Sequence, residues 1–484
     1  MKERIEVLSF KYKVIYGVFF FFLVISMLSP LSGEDLKYAN MFKENLSLFE
    51  FIDKYGLNYY IISFLTANKI FFNIILSLLL GYFTYITCNM MGLVKNKYYY
   101  LVPFIMLLLV STNTFSYNYM AISKTVTYTF PSIFVFIYFY FSLKKEGTFF
   151  TDIILRFLII IYISFSSIFI SIPFLISNIF LSTYLWKNKV LRKIDILFVF
   201  VLFMLTTFAY FLTDNTLYTD LSYTTQNITN YIDNFFSKNI LLVILSCIPI
   251  NLYLSEKLSK NIHKRTIIMI FDLIMLFSLL YNFSYYVPVN INLVINKYFG
   301  VFALENWYYI FYYIIYFGLL IISLNHYLNN SKNKHFIMLT VIICICEFPL
   351  SLLYPSWDIG VSIIYVLILV ILISLIFKDL EIKLFKKTII CILLILTCYY
   401  SLSFLIIKYV DYSREEYIKE QINANMDEIE VKASPLYFVW RYNPVSVFSE
   451  EDFKKYYGIS DEKKIKVKYF GVFKEIEKKV KSLI

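Results

Sequence analysis

VIYGVFFFFLVISMLSPLSGEDLKYAN, residues 14–40, decides how the rest of the chain is read. Its first eighteen residues, 14–31, carry no charge, and a run of roughly that length crosses a bilayer's hydrocarbon core as a helix. The two acids, Glu34 and Asp35, stand directly where the run ends. A basic leader precedes it, as in a signal peptide, but its length and the many later runs argue for a retained anchor.

The rest of the chain follows the same plan. Of its 484 residues 59% are hydrophobic and 16% charged, against about a quarter charged in soluble domains. Mean hydropathy is +0.66. Apolar runs fall at 14–31, 70–92, 98–114, 128–143, 150–166, 168–186, 194–213, 239–254, 266–286, 307–325, 336–354, 361–377 and 388–407. They predict an all-α polytopic membrane protein of about thirteen transmembrane helices. Residues 150–186 admit two readings: two short helices meeting near Ser164–Ser171, or one long tilted helix and a half-span.

Lys and Arg concentrate in alternate connecting segments, beginning with Lys2, Arg4, Lys11 and Lys13 and continuing with Lys95 and Lys97. The positive-inside rule then sets the N-terminus in the cytoplasm and residues 408–484 outside, in a plasma membrane. The chain divides into a transmembrane part, 1–407, with a first outer loop at 32–69, and an extracytoplasmic tail, 408–484. In that tail DYSREEYIKEQINANM has helical spacing, while EIEVK, LYFVW and KKIKVKYF read as strands. Ser449 followed by Asp452 resembles an N-cap, opening a short helix through Tyr457 before Gly458. The tail is a small α/β appendage that needs the membrane part to pack on.

The net charge of +11 is accounted for by the membrane-flanking clusters, so nucleic acid is not an expected partner. All six cysteines lie in apolar runs, where a thiol acts as a small hydrophobe and no disulfide framework is implied. No glycine-rich phosphate loop is present. His263, His326 and His335 lack a ligand partner at helical spacing, so no metal site and no cofactor is assigned, with a divalent ion left open. By elimination, a donor substrate is lipid-borne rather than a nucleotide. Gly and Pro number only 11 and 10, and no pair of broken spans recurs in two halves.

Several charges merit a role. The stretch NLSLFEFIDKYGLNYYIISFL, residues 45–65, is suited to lying in the membrane interface, beside Glu34 and Asp35. A carboxylate there can take a proton from an acceptor hydroxyl. Asp152 and Arg156, four apart, read as a local ion pair that eases insertion. Asp272 and Glu347 lie deeper in their spans and are candidate cavity groups or helix contacts. Lys124 and Lys297 are outer-loop bases able to neutralise a lipid phosphate or to anchor at headgroups. Asp214, Asp220 and Asp233 occupy an outer loop rich in Thr and Asn.

An acidic pair after the first span, a long first outer loop and many spans resemble the membrane glycosyltransferases of the GT-C type. More narrowly, the chain resembles bacterial Gtr-type glucosyltransferases and their multi-pass relatives. Relatives often read Asp-Asp where this chain has Glu34–Asp35, and they end in an outer tail similar to NPVSVFSEEDFKKYYGISDEKKIKV, residues 443–467. Tyr128 and Pro131 in SKTVTYTFP match their Tyr-x-x-Pro, whereas Gly56 is followed by Leu57 in place of their Gly-Arg. The resemblance implies a polyprenyl-phosphate sugar as donor and a cell-envelope glycan or glycolipid as acceptor. It makes Asp35 the first-choice base and Glu34 the second, with Lys124, Tyr128, Lys297 and Lys54 as substrate-binding candidates. Three other classes share this setting: an envelope polysaccharide polymerase, a flippase, and a catalytically inactive relative that binds partners.

Overall fold

The computed structural model describes residues 2–44, 46–55, 57–92, 96–110, 115–144, 149–188, 193–212, 334–353, 363–379, 385–432 and 450–468. The expected spans at 239–254, 266–286 and 307–325 lie outside the described residues, as do Asp214, Asp220, Asp233, Asp272, Lys297, the LYFVW strand and the expected N-cap Ser449.

The described chain is overwhelmingly helical. Helix α1 (Lys2–Leu28) carries the first apolar run. Three short helices follow in the first loop: α2 (Gly33–Phe42), α3 (Leu48–Tyr55) and α4 (Leu57–Ala67). The chain returns through α5 (Lys69–Met91). Helix α5 lies along α1, close enough at Gly81 that a Cβ there would make ordinary van der Waals contact with the Phe19 side chain at 3.6 Å and the Ile15 carbonyl at 3.7 Å.

The run expected at 98–114 is not one crossing helix in its described part. A 3₁₀ segment, Lys97–Leu101, leads into α6 (Val102–Leu108), with Pro at the start of that helix. Together they rise only about 20 Å, short of the roughly 30 Å hydrocarbon core. The next span begins earlier than its apolar run suggests. Ile122–Lys124 opens it, a π-helical turn Thr125–Thr129 continues it, and α7 (Phe130–Lys144) completes it.

Residues 150–186 resolve as two helices, α8 (Phe149–Ser164) and α9 (Ile168–Lys187), as one of the two expectations had it. The Ser167 hydroxyl at the joint accepts a hydrogen bond from the Phe169 N–H at 3.4 Å. Helices α10 (Lys193–Leu212), α11 (Lys334–Leu353) and α12 (Ile363–Asp379) follow. Glu347 falls within α11, where His335 packs its ring 3.9 Å from Tyr184 of α9.

Among the described residues five helices are long and apolar enough to cross a membrane: Ile5–Leu28, Lys69–Met91, Ile122–Leu143, Phe169–Lys187 and Lys386–Asn423. That makes this a helical protein of membrane character.

The last of the five departs from expectation. Helix α13 (Phe385–Asn423) runs unbroken for 39 residues, so the division placed at 407/408 falls inside a helix. At 1.5 Å per residue it is about 58 Å long, roughly twice the thickness of a bilayer's hydrocarbon core, and its last third is polar. Beyond it the tail folds as expected into strand β1 (Glu428–Lys432), helix α14 (Glu450–Tyr457) and strand β2 (Lys464–Lys468). The strands pair in parallel, Glu428 opposite Lys464 and Lys432 opposite Lys468. Gly458 ends α14 with φ 69°, a conformation that favours glycine.

One apolar core joins the membrane helices, and a second, smaller one joins the tail to the first loop. The larger contains an aromatic stack. Phe115 lies 4.0 Å from Tyr400 and 5.9 Å from Phe22, and the Tyr400 hydroxyl donates to the Val110 carbonyl at 3.1 Å.

Candidate functional site

The first loop leaves α1 through Ser29–Ser32 and turns at once into α2. Ser32 is the N-cap: its hydroxyl accepts from the Asp35 N–H at 3.3 Å, and Asp35 Oδ2 accepts from the Ser32 N–H at 3.0 Å. This reciprocal capping box places Glu34 and Asp35 in the first turn, where the helix dipole favours negative charge.

Asp35 also caps a second helix. The backbone breaks at Ala121, which is extended (ψ 116°) between the π-helical turn Ser116–Met120 and the segment starting at Ile122. The Ile122 N–H donates to Asp35 Oδ2 at 3.2 Å, and the Ser123 N–H to Oδ1 at 2.9 Å. Both carboxylate oxygens therefore accept backbone hydrogen bonds, and the residue is 0% exposed. Burial pushes its carboxyl above the ordinary range, while the N–H groups of Ser123, Ser32 and Ile122 pull it back.

Glu34, one residue earlier, is different. Its side chain is 37% exposed, and Oε2 lies 3.1 Å from Lys124 Nζ and 3.5 Å from the Ser123 hydroxyl. Lys124 is 19% exposed and sits 5.4 Å above the Tyr117 ring. Tyr38, one turn along α2, stacks on half-exposed Tyr59 of α4, with ring centroids 5.8 Å apart. Burial raises the Tyr38 phenol above its usual range, and Tyr59, Glu34, Asp35 and Tyr128 all push the same way. Tyr128 thus lies within electrostatic reach of the Tyr38 phenol.

Of the residues singled out from sequence, Glu34, Asp35 and Lys124 come together, and Tyr128 lies within electrostatic reach of neighbouring Tyr38. Lys54 does not join them: it pairs with Glu44 at 3.2 Å and lies over the Tyr55 ring. Lys297 lies outside the described residues. Ser32, Tyr38, Ser123 and the helix break were not anticipated. Ser32-x-x-Asp35 is a capping-box pattern and was the one available signal. The break has no glycine or proline to announce it, and Asp35 stabilises it from eighty-six residues away.

Behind the break the interior is polar. Thr125 and Thr129 hydroxyls donate to the Asn118 carbonyl at 3.0 and 2.5 Å, feeding the loosened π-helical backbone. The Asn118 side chain is fully buried, and neither its oxygen nor its nitrogen has a hydrogen-bond partner among the described residues. A buried amide without a partner costs about 1–3 kcal/mol of stability. Asn118→Leu is therefore expected to raise the thermal midpoint, read by scanning calorimetry in detergent, while reducing whatever reaction the adjoining site performs. A lowered midpoint sinks this reading.

Among the described residues no three His, Cys, Asp or Glu side chains gather as metal ligands. What the site offers is a half-exposed carboxylate paired with a lysine, held by a buried carboxylate at a helix break and flanked by tyrosines. No protein-family model, curated protein or solved structure matches the chain.

Proposed function

We propose that the chain is a membrane glycosyltransferase that moves a sugar from a polyprenyl-phosphate donor to an envelope glycan or glycolipid at the outer face of the cell membrane. The observation that supports it is the Glu34–Lys124 pair: a partly solvated acid and base, 3.1 Å apart, at the loop end of the helices. The positions of the two acids suggest exchanged roles relative to the first choice made from sequence. Glu34 is the base, and Asp35, whose oxygens are taken by backbone N–H groups, is the positioning residue.

In this reading the acceptor hydroxyl loses its proton to the Glu34 carboxylate as its oxygen bonds to the anomeric carbon. The bond from that carbon to the phosphate oxygen breaks, and the phosphate leaves with the electron pair. Lys124 meets the charge that develops there. Tyr59 presents a ring face beside the site, a surface suited to the C–H face of a sugar.

The test is direct. Purified protein in proteoliposomes is given polyprenyl-phosphate sugars with labelled hexoses, plus envelope glycans from cells lacking the protein. Transfer of label to the glycan supports the proposal. Folded protein that transfers none of the labelled sugars overturns it, and net movement of donor across the bilayer without transfer assigns a flippase instead.

A further inference from the structure

We infer that the tail is a strut: helix α14 and the two strands hold α2 in place, and so set the Glu34–Lys124 geometry from outside the membrane. The site concerned is the one proposed above, but the strut stands whatever chemistry that site performs.

The mechanical chain begins in the membrane. Helix α13 leaves it without a break, so the direction of its outer third is fixed by its span. That outer third is clasped to β1. The Gln421 side chain accepts from the Glu430 N–H at 2.7 Å and donates to the Glu430 carbonyl at 2.9 Å, satisfying both of that residue's backbone groups as a ladder neighbour would. Tyr417 adds a hydrogen bond from its hydroxyl to the Glu430 carboxylate at 3.2 Å.

The tail then reaches α2 along its whole length. Leu36, the residue after Asp35, is 1% exposed and shares a core with Ile418 of α13, Ile429 and Val431 of β1, and Phe453 of α14. One turn further, Asn40 is buried and its Nδ2 donates to the Asp452 carbonyl at 3.0 Å. Just past the helix end, Lys43 lies 4.7 Å from the centre of the Tyr456 ring. Helix α2 has ten residues and a weakly apolar composition, too short to hold its own position. It packs on α4 through Tyr38 against Tyr59 and Phe42 against Phe64, and the apolar side it presents at Leu36 is covered by residues more than 380 positions away. Because Asp35 also seats the break at Ala121, moving α2 moves Lys124 with respect to Glu34.

A buried reporter at the site separates the strut from general stability. Ser123 is 3% exposed behind the two acids. In full-length protein with its native cysteines replaced, Ser123→Cys is labelled with a membrane-impermeant maleimide, alone and combined with Phe453→Asp, Phe453→Leu or Asn40→Ala. Phe453→Asp should speed labelling about tenfold or more as α2 loosens, and Asn40→Ala should speed it less. Phe453→Leu should stay near the parent rate. Proteolysis of the tail confirms that Phe453→Asp undocks it. Parent-like labelling with the tail undocked overturns the strut. If the wild-type protein transfers no sugar in the proteoliposome assay, the transferase reading falls, and faster labelling of the undocked variant still leaves the strut standing.

Discussion

Glu34→Gln is expected to lower sugar transfer by about 10²–10⁴-fold, the usual cost of losing a general base, with the thermal midpoint nearly unchanged. The small effect on stability follows from its surroundings. Glu34 is partly solvated, and a solvated pair such as Glu34–Lys124 contributes only about 0–1 kcal/mol to folding. Asp35→Asn should show the opposite balance. The amide replaces an oxygen that accepts backbone hydrogen bonds, so one of the N–H groups of Ser32, Ile122 or Ser123 faces a donor. An unsatisfied buried group costs about 1–3 kcal/mol, and the midpoint should fall while some transfer persists in the fraction that stays folded. Transfer by each variant is measured at saturating donor, beside calorimetry on the same preparation. If Glu34→Gln transfers at the wild-type rate while Asp35→Asn is folded and inactive, the roles assigned to the two acids are reversed.

The sequence carried the larger features because they are dictated by solvent. Apolar runs of span length, helical spacing in 411–426 and period-two alternation in KIKVK each reflect one medium meeting one element; among the described residues five of the runs form helices long enough to span, and the tail's helix and strand lie where expected. What it did not carry was coupling between distant segments. Asp35 stands beside Ser32, so its local role as a cap was readable, but its role at Ile122 and Ser123 depends on how α2 and the break meet in space. The unbroken α13 was hidden for a related reason. Composition changes sharply after residue 407, but the helix runs on to Asn423. Asn118 stands in a stretch rich in Ser, Thr and Tyr, and nothing in its flanks distinguishes an amide with no hydrogen-bond partner among the described residues from a paired one.

The same limit governs Arg156, whose loss should have the largest effect on stability. Asp152 and Arg156 have the spacing of a simple helix pair, and the structure bears out that contact at 2.9 Å. It also shows a third member. Asp195 of α10 accepts from Arg156 Nη1 at 2.9 Å, so one guanidinium bridges two helices and two carboxylates, all under one-tenth exposed. The guanidinium carbon lies 4.9 Å from the centre of the Phe198 ring, which covers it from the apolar side. Arg156→Met keeps the volume and removes the charge, leaving two buried acids facing each other. Breaking a buried pair from one side costs about 3–5 kcal/mol, and here one guanidinium serves two carboxylates. The expected result is a large drop in thermal midpoint and in the yield of folded protein in the membrane. The triple change Arg156→Met, Asp152→Asn and Asp195→Asn should recover most of that loss, because neutral amides no longer repel and can hydrogen-bond across the interface. Calorimetry on the single and triple variants reads both values. Equal destabilisation in the two would mean that packing around Phe198, rather than charge, joins α8 to α10.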